Sequence, residues 1–477
     1  MKSALLPIFF VLISFVFSFA QYGLNSVGLG AADYIEIFPN PNGSLDAGPG
    51  FTFEAWILNF GGPSNQKVAG KLVNDFKNGF IYGIEDLQVN FEVFDNNGTN
   101  TKLKAGSISA IGWTHVAGSY EVGGMLRIFV NGEKVGEQAA SAVPVNPNTN
   151  PFRIGIAPWD VNALGLQGYV DEARYWQAVL DEETIREWMH KDVTSEHPNY
   201  DKLSFYHKYN EAGGPAVLDE TDNENHGLLS DEGIVLEPAF LPFKGEFEMY
   251  ENDLQGIWNA KTSGSSDILS FTGTFFDSLE LEVSAILGHS DGDYSFDTDA
   301  PAGYDRSLSK AWQAAVQGGL FANLSFDLSV LDLSQVEEVV LLSSPEEDFS
   351  NAEVTSGMLD GNTFTVEEIV PTDGWYYTLG FKTTISGTSS RGDLPLLMEV
   401  SPNPAEGSFR LHIREQQPGP LHIQVLTLAG EQVFSKFTGN LPAEYTETIN
   451  IEHLPPGMYL VEVKGERQAG VKKLAVR

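Results

Sequence analysis

Hydrophobic and polar residues alternate along this 477-residue chain over short stretches, and glycine, proline or asparagine separates one stretch from the next. Residues 51–57 (FTFEAWI) and 126–130 (LRIFV) are typical. A period of two turns one face of a strand towards a core and the other towards solvent. Asn131-Gly132 follows the second stretch and favours a tight type I′ turn. The pattern predicts an all-β protein built of sandwiches.

One segment has helical periodicity instead. Asp181 is a candidate N-cap, and His190 and Lys191 stand where the last turn is expected, a place where positive charge suits the helix dipole. Ile185 and Trp188 fall on one face. The segment is therefore predicted to be a helix that packs on a sheet.

The N-terminus has the pattern of an export signal. Lys2 precedes an apolar run over residues 5–17, and small residues flank Phe19, so residues 1–20 are predicted to be a signal peptide cleaved before Gln21. A membrane anchor is the alternative, but the run is shorter than the roughly 20 residues that span a bilayer. The mature chain is thus expected to be soluble, with no transmembrane segment.

Composition restricts the partners. The chain has 28 Lys and Arg against 65 Asp and Glu, a formal charge of −37, which disfavours nucleic acid and anionic membranes. Such a surface is compatible with calcium, which prefers oxygen ligands, although it can also serve solubility alone. Cysteine is absent, so stability must come from packed cores or metal and not from disulfides.

Several motifs occur in one order over the first half of the chain: residues 30–37, 51–57, 113–117, 126–132, 168–176 and 203–227. Together they resemble the laminin-G-like, or concanavalin-A-like, family. The resemblance implies a jelly roll of two facing antiparallel sheets over residues 21–242. Trp56, Trp113 and Trp176 are expected to be buried.

A candidate ligand-binding site lies in a predicted loop of this jelly roll. Trp159 stands beside Asp160 and close to Asn162. An aromatic ring with amide and carboxylate neighbours suits stacking on a sugar and hydrogen bonding to its hydroxyls. Trp159, Asp160 and Asn162 are therefore predicted to bind a glycan or another surface or matrix ligand. The alternative is that Trp159 folds back on the sandwich.

The resemblance also implies a structural Ca²⁺ ion. Asp171 matches the family position, and Asp33, near the entry strand, is the second candidate ligand. Calcium needs about six to eight oxygens, so backbone carbonyls would complete the shell. Asp171 could instead pair with Arg174.

Catalysis has one weak candidate. Residues 246–251 resemble the E-x-D-x-x-E strand of laminarinase-type glycoside hydrolases, and alternation on a strand would place Glu246 and Glu248 on one face. Glu248 replaces the aspartate of that family, and the segment follows the jelly roll. The main interpretation is therefore non-catalytic, with a jelly-roll glycoside hydrolase as an alternative.

The C-terminal region, residues 398–477, resembles the type IX secretion sorting domain of Bacteroidota. The matching positions are Pro402, Asn403, Pro404, Gly430, Gly457 and Tyr459. The resemblance implies an immunoglobulin-like sandwich that the type IX secretion machinery recognises, and hence a secreted or surface-attached protein. Basic Lys472 and Lys473 form a candidate recognition surface. Gly430 and Gly457 are expected at turns where a side chain would be costly.

Residues 243–385 are predicted to form a β-sandwich module, and residues 386–397 a flexible linker. The whole pattern indicates a secreted or cell-surface, non-catalytic binding protein that recognises a carbohydrate or adhesion ligand. A glycoside hydrolase and a protein-binding adhesin are the alternatives, and the fold alone does not choose among them.

Overall fold

The structure is a computed structural model of the chain. It describes residues 25–72, 74–110, 112–162, 164–211, 214–231, 234, 236–238, 241–244, 247–275, 283–297, 300–383, 394–414, 421–427, 432–438, 444–464 and 468–477. The predicted signal peptide, Glu246, Gly430 and residues 386–393 of the predicted linker lie outside these ranges. The described chain is almost entirely β, which confirms the predicted class.

In chain order, the elements up to residue 238 are β1 (Asn25–Leu29), β2 (Ile35–Ile37), β3 (Gly50–Asn59), β4 (Asn65–Lys71), β5 (Gly79–Glu85), β6 (Gln88–Phe94), β7 (Asn100–Ser107), β8 (Thr114–Glu121), β9 (Met125–Val130), β10 (Glu133–Ala139), β11 (Phe152–Ile154), β12 (Gly168–Trp176), the helix α1 (Glu182–Trp188), β13 (Leu203–His207), β14 (Ala216–Val217), β15 (Gly227–Leu229) and β16 (Leu236–Pro238). They form two sheets. Sheet I has the order β10-β9-β8-β3-β12-β1-β16, with β13 beside β12, and sheet II has the order β14-β15-β2-β11-β4-β5-β6-β7.

The main core lies between the two sheets. Strand β3 shows the alternation: Phe51 and Phe53 join the inter-sheet core, whereas Glu54 and Trp56 face the other side of sheet I. Strands β9 and β10 are joined by Asn131-Gly132, and both residues have positive φ, as the predicted type I′ turn requires. The expected jelly roll is therefore confirmed.

Helix α1 covers part of the outer face of sheet I. The Asp181 side chain accepts a hydrogen bond from the Thr184 backbone, and Ile185 and Trp188 are buried, as predicted. The helix ends at Trp188, so the expectation that His190 and Lys191 close the last turn is wrong. The reason is that Arg174, on strand β12 of sheet I, donates hydrogen bonds to the carbonyl oxygens of Trp188, at the helix end, and of Lys191, just beyond it.

The middle strands are β17 (Asn252–Trp258), β18 (Ser263–Ser266), β19 (Leu269–Phe275), β20 (Ser284–His289), β21 (Phe296–Asp297), β22 (Arg306–Leu308), β23 (Trp312–Gln317), β24 (Leu320–Asp327), β25 (Val336–Ser344), β26 (Glu353–Ser356), β27 (Met358–Asp360), β28 (Thr363–Ile369) and β29 (Tyr376–Thr383). Among them, β25 pairs with β26 and β29, and β18 pairs with β19. They form the middle β-sandwich module.

The described residues divide into two compact units: one holds those within Met1–Gly288, Ala314–Asn323 and Glu368–Gly374, and the other holds the remainder. The first unit continues past the predicted boundary at residue 242. Phe243 and Trp258 pack in one cluster with Trp56 and Trp113 on the outer face of sheet I, so the segment after residue 242 covers part of the jelly roll.

The last strands are β30 (Leu394–Pro395), β31 (Leu397–Glu406), β32 (Ser408–Arg414), β33 (His422–Thr427), β34 (Gln432–Phe437), β35 (Glu444–Asn450), β36 (Gly457–Lys464) and β37 (Gln468–Val476). Their sheet has the order β34-β33-β36-β37-β31-β32-β35 and encloses its own core. Strand β30 pairs with β37 in parallel, so residues 394–397 of the predicted linker belong to this sheet. Among the described residues, none of the helices is both long and apolar enough to cross a membrane.

Candidate ligand-binding face

One register row crosses sheet II from edge to edge. Its members, in strand order, are Ala216, Leu228, Glu36, Arg153, Gly70, Ile81, Glu92 and Lys102. Their sequence neighbours Ile37, Ala69 and Phe91 belong to the inter-sheet core, so the row faces away from that core. Eight strands at about 4.8 Å spacing make a face roughly 34 Å wide. We call it the outer face of sheet II.

The loop after β11 crosses the middle of this face. A β-carbon at Gly70 would lie 2.8 Å from Pro158 Cγ, so glycine lets the loop rest directly on the sheet. Trp159 follows, packed on Ile81 and Phe94, and its ring centroid lies 5.3 Å from that of Phe76. Trp159 is half-buried, and 39% of Phe76 is exposed. The two rings form an aromatic ridge on the outer face of sheet II.

Asp160 and Asn162 are exposed on the same loop. The Asp160 carboxylate accepts a hydrogen bond from the Asn162 backbone at 2.9 Å and one from its amide at 3.4 Å. The structure thus places the three residues of the predicted ligand-binding site together. Their role in binding stays a prediction. The alternative for Trp159 describes part of what is seen, because one side of the ring packs on sheet II.

Polar side chains lie beside the ridge. Glu92 accepts hydrogen bonds from Asn90 at 2.8 Å and from Asn100 at 2.7 Å. Burial raises the pKa of Glu92, but these hydrogen bonds and the Lys102 charge more than offset it, so the pKa lies below its usual range. Asn90 is fully buried, and its Oδ1 atom has no hydrogen-bond partner.

The charges of this face are paired with one another. Lys102 lies 3.3 Å from both Glu85 and Glu92, and Lys104 lies 2.9 Å from Asp86. Arg153 donates to Glu36 at 2.7 Å on the other side of the ridge. Lys67, nearly fully buried, donates to Asn65 at 2.8 Å, and burial lowers its pKa.

These polar residues were not predicted from the sequence. The alternation of residues 88–94 and 100–107 could have indicated which of their side chains face outward. It does not say which strands lie side by side, so it could not place Glu92 opposite Lys102 or either of them near Trp159.

The candidate metal ligands make separate contacts. Asp171 is fully buried; its Oδ1 accepts the Glu172 backbone N–H at 2.7 Å, and its Oδ2 has no hydrogen-bond partner. Burial, and then the Glu172 charge, raise the Asp171 pKa well above its usual range. Asp33 accepts the Gly30 backbone N–H at 2.7 Å in a turn. Within the described ranges, no group of three or more His, Cys, Asp or Glu side chains could hold a metal ion.

A buried charge cluster lies on the outer face of sheet I. Arg174 pairs with Glu172 at 3.0 Å and with Glu54 at 3.6 Å, and all three side chains are about 1% exposed. A β-bulge between Asp171 and Arg174 gives Glu172 a φ of 50°. Burial raises the pKa of Glu172 to about 7. Arg174 therefore pairs with Glu54 and Glu172 and not, as the alternative for Asp171 had it, with Asp171.

The carboxylate pair predicted as a catalytic alternative is not supported. Residues 247–250 do not form a strand, β17 begins only at Asn252, and Glu248 is exposed. The Phe247 backbone N–H donates to the Lys244 carbonyl at 3.1 Å, a turn contact that an extended strand does not make. Glu246 lies outside the described residues. The expectation that Glu248 lies on a strand is wrong.

The C-terminal motif has a structural role that can be read directly. The Asn403 side chain donates to the Lys473 carbonyl at 2.8 Å and accepts the Ala475 N–H at 2.9 Å. Asn403 thereby binds the backbone of β37. Its two neighbours in the chain, Pro402 and Pro404, have no backbone N–H that could do so.

Other expectations for this domain change. Tyr459 is buried and donates to the Pro455 carbonyl at 2.9 Å, a packing role. Gly457 is not at a restrictive turn: it begins β36, and an added β-carbon would meet nothing closer than 3.7 Å. Lys472 and Lys473 are both exposed, but they are neighbours on β37 and therefore point to opposite faces. They do not form one basic patch.

Comparison with known proteins agrees with this architecture. Residues 29–186 match the family described as the concanavalin A-like lectin/glucanases superfamily, and residues 399–477 match the secretion system C-terminal sorting domain. No curated protein matches the chain.

Among solved structures, a Bacteroides ovatus protein with a proposed role in carbohydrate binding is 21% identical, with a TM-score of 0.38, over 46% of this chain and 61% of that one. Domain 4 of an extracellular arabinanase from Geobacillus stearothermophilus, in complex with arabinotriose, is 14% identical, with a TM-score of 0.26, over 34% of this chain and 75% of that one. These scores carry no argument about this chain. The chain is thus composed of a concanavalin A-like domain of the lectin/glucanases superfamily, a middle β-sandwich module and a secretion system C-terminal sorting domain.

Proposed function

We propose that this chain is a secreted, non-catalytic carbohydrate-binding protein, and that the outer face of sheet II is its binding surface. The observation that carries the proposal is the aromatic ridge of Trp159 and Phe76, which lies on a sheet face lined with hydrogen-bonding side chains. Sugar rings offer an apolar face to aromatic side chains and hydroxyls to polar ones.

The polar groups beside the ridge supply both kinds of hydrogen-bonding partner. The partly exposed Glu92 carboxylate has acceptor lone pairs beyond those that Asn90 and Asn100 use, so a ligand hydroxyl can donate to it. Exposed Asp160 and Asn162 add acceptors and donors at the end of the Trp159 loop. Fixed strands hold Asn90 and Glu92, which favours a preorganised site with a low entropic cost of binding.

The sorting domain implies secretion. We further propose that the type IX secretion machinery recognises this domain, and that the jelly roll then works at the outer cell surface or in the medium. Deletion of residues 399–477 should leave the protein inside the cell, as fractionation would show. Unchanged export of the truncated chain would contradict this part of the proposal.

A glycan-array screen of the full chain tests the binding function, with released sugar assayed in the same wells. Binding without release is the expected result. Release of sugar would favour the glycoside hydrolase alternative. Silence on every glycan, together with capture of a protein ligand that survives glycosidase treatment, would favour the protein-binding adhesin.

We also propose that calcium stabilises the jelly roll near Asp171. Burial leaves Asp171 Oδ2 and Glu211 Oε2 without hydrogen-bond partners, and the Glu211 charge contributes to the raised Asp171 pKa. A divalent cation would offset this repulsion, with backbone oxygens completing its shell. The thermal midpoint of unfolding should be higher in calcium than in EDTA. Asp171→Asn should remove this difference, and Asp33→Asn should reduce it if Asp33 is the second ligand. Equal midpoints for the unmodified chain would contradict it.

A further inference from the structure

We infer that the ligand of the outer face of sheet II is an uncharged glycan and not a uronic-acid or sulfated one. This inference rests on the proposed function and names the chemical class that the face accepts. Two features support it: the state of the basic side chains on the face, and the carboxylates that lie beside the ridge.

The basic side chains are already engaged. Lys102 lies between Glu85 and Glu92, and Lys104 lies against Asp86 and, at 3.6 Å, Glu85. Binding of an anionic sugar normally uses a lysine or arginine as a charged donor. Here a sugar carboxylate or sulfate would first have to compete with a carboxylate of the protein for each lysine.

The same holds on the other side of the ridge. Arg153 donates through both Nε and Nη2 to Glu36, and through Nη1 to the Pro158 carbonyl at 2.6 Å. Its guanidinium therefore also fixes the loop that carries Trp159. Lys67 is buried and its ammonium group donates to Asn65, so it does not present its charge to a ligand on the surface.

Four basic side chains of the face, Lys67, Lys102, Lys104 and Arg153, stand against four acidic ones, Glu36, Glu85, Asp86 and Glu92, and the exposed Asp160 adds one more negative charge. The chain as a whole has a formal charge of −37. The long-range field therefore repels a polyanion, and no local excess of positive charge on this face compensates for it.

The carboxylates beside the ridge point to the same class. Glu92 is partly exposed and Asp160 is exposed, and both present acceptors to which sugar hydroxyls can donate. A sugar carboxylate or sulfate placed beside either of them would meet a like charge. A hydroxyl-rich, uncharged sugar ring stacked on Trp159 avoids this repulsion.

The test uses matched polymers and the full chain. Polygalacturonate and the same polymer after chemical reduction of its carboxyl groups differ only in charge, and a panel of neutral glucans, xylans and arabinans extends the neutral class. Binding is measured at about 50 mM and about 500 mM NaCl, which changes the range of electrostatic interactions severalfold. The neutral polymer that binds best should do so with an affinity that changes less than about twofold with salt, and at least about tenfold more tightly than polygalacturonate.

A variant tests direct recognition of a charged sugar. Lys102→Met removes the most exposed of the paired lysines, and the weak binding of polygalacturonate should not fall further in this variant. Tighter binding of the acidic polymer, falling steeply with salt and lost in Lys102→Met, would overturn the inference while leaving carbohydrate binding in place. Binding of neither class would overturn the proposed function and this inference together.

Discussion

The jelly roll has two outer faces, and they differ in how far their charged side chains are exposed to solvent. On sheet I, Arg174, Glu54 and Glu172 are covered by α1 and the segment that follows it, and each is about 1% exposed. On sheet II, Arg153 and Glu36 are 17% and 20% exposed at the side chain, in a face that the solvent reaches. The comparison teaches that similar ion pairs on the two sides of one fold have different surroundings: those of sheet I are enclosed and support the fold, whereas those of sheet II line the face that we propose as the binding surface.

Hydrogen bonding explains why the covered cluster is tolerated. Removing charges from water is costly unless geometry and further hydrogen bonds satisfy them. Arg174 meets this demand by donating to the carbonyls of Trp188 and Lys191 as well as to Glu172. The cluster thereby joins the end of α1 to β12 and fixes the position of the helix end. A purely apolar contact would join the two elements without fixing that position.

The largest expected effect is the loss of Arg174. Arg174→Met leaves Glu54 and Glu172 buried without their cation, and we expect it to lower the free energy of unfolding by about 3–5 kcal/mol. The matched change Arg153→Met on the open face should cost about 1 kcal/mol or less. Urea unfolding followed by tryptophan fluorescence measures both, because six of the eight tryptophans lie in the first compact unit. Equal costs would show that the two faces do not differ as described.

The second effect is a dependence of stability on pH. Burial raises the pKa of Glu172 to about 7 in the folded chain, above its ordinary value in the unfolded chain. The contribution of Glu172 is therefore fully present below the ordinary pKa and is lost as the pH rises through about 7, a change of at most about 3 kcal/mol. No comparable loss is expected from Glu92 on the open face, whose pKa is lowered.

The measurement is the urea midpoint at about pH 5 and about pH 8, on either side of the raised pKa of Glu172. The unmodified chain should lose more stability over this interval than Glu172→Gln, which cannot titrate. Glu92→Gln is the control, and its pH dependence should match that of the unmodified chain over this interval. An identical pH dependence for the unmodified chain and Glu172→Gln would contradict a raised pKa at Glu172.

These two faces also show how far the sequence could lead. Alternation along β3 and the Asn131-Gly132 turn depend on local geometry, and both were predicted correctly. The Asp181 N-cap is likewise a local feature and was found. The end of α1 was misplaced because it depends on Arg174, a residue from a different element whose approach cannot be read from helical periodicity.

The candidate site was only partly predictable for the same reason. Trp159, Asp160 and Asn162 are close in sequence, so their proximity could be inferred. Glu92 and Asn90 come from another strand, and only the sheet order brings them beside the ridge. Gly457 was misjudged because motif resemblance gives a position in a family pattern and not the local backbone conformation, and the recognition role of Lys472 stays a prediction.

The smallest effect separates the two faces most sharply, through one tryptophan on each. Trp159→Ala removes the ridge and should lower glycan affinity by about 2 kcal/mol, roughly thirtyfold, whereas Trp159→Phe should keep most of it because a ring remains. Phe60→Ala is the control: this aromatic is 58% exposed but lies at the end of β3, away from the row on sheet II.

Trp176 provides the converse. Its indole N–H donates to Glu54 at 3.0 Å inside the buried cluster, so Trp176→Phe should lower the free energy of unfolding by about 1–3 kcal/mol. Glycan affinity should stay unchanged at temperatures where the variant is folded, because Trp176 does not reach the outer face of sheet II. If Trp176→Phe instead weakened binding as much as Trp159→Ala, the binding site would have to be sought on sheet I. The open face of sheet II would then be an ordinary solvated surface, with its paired charges serving solubility alone.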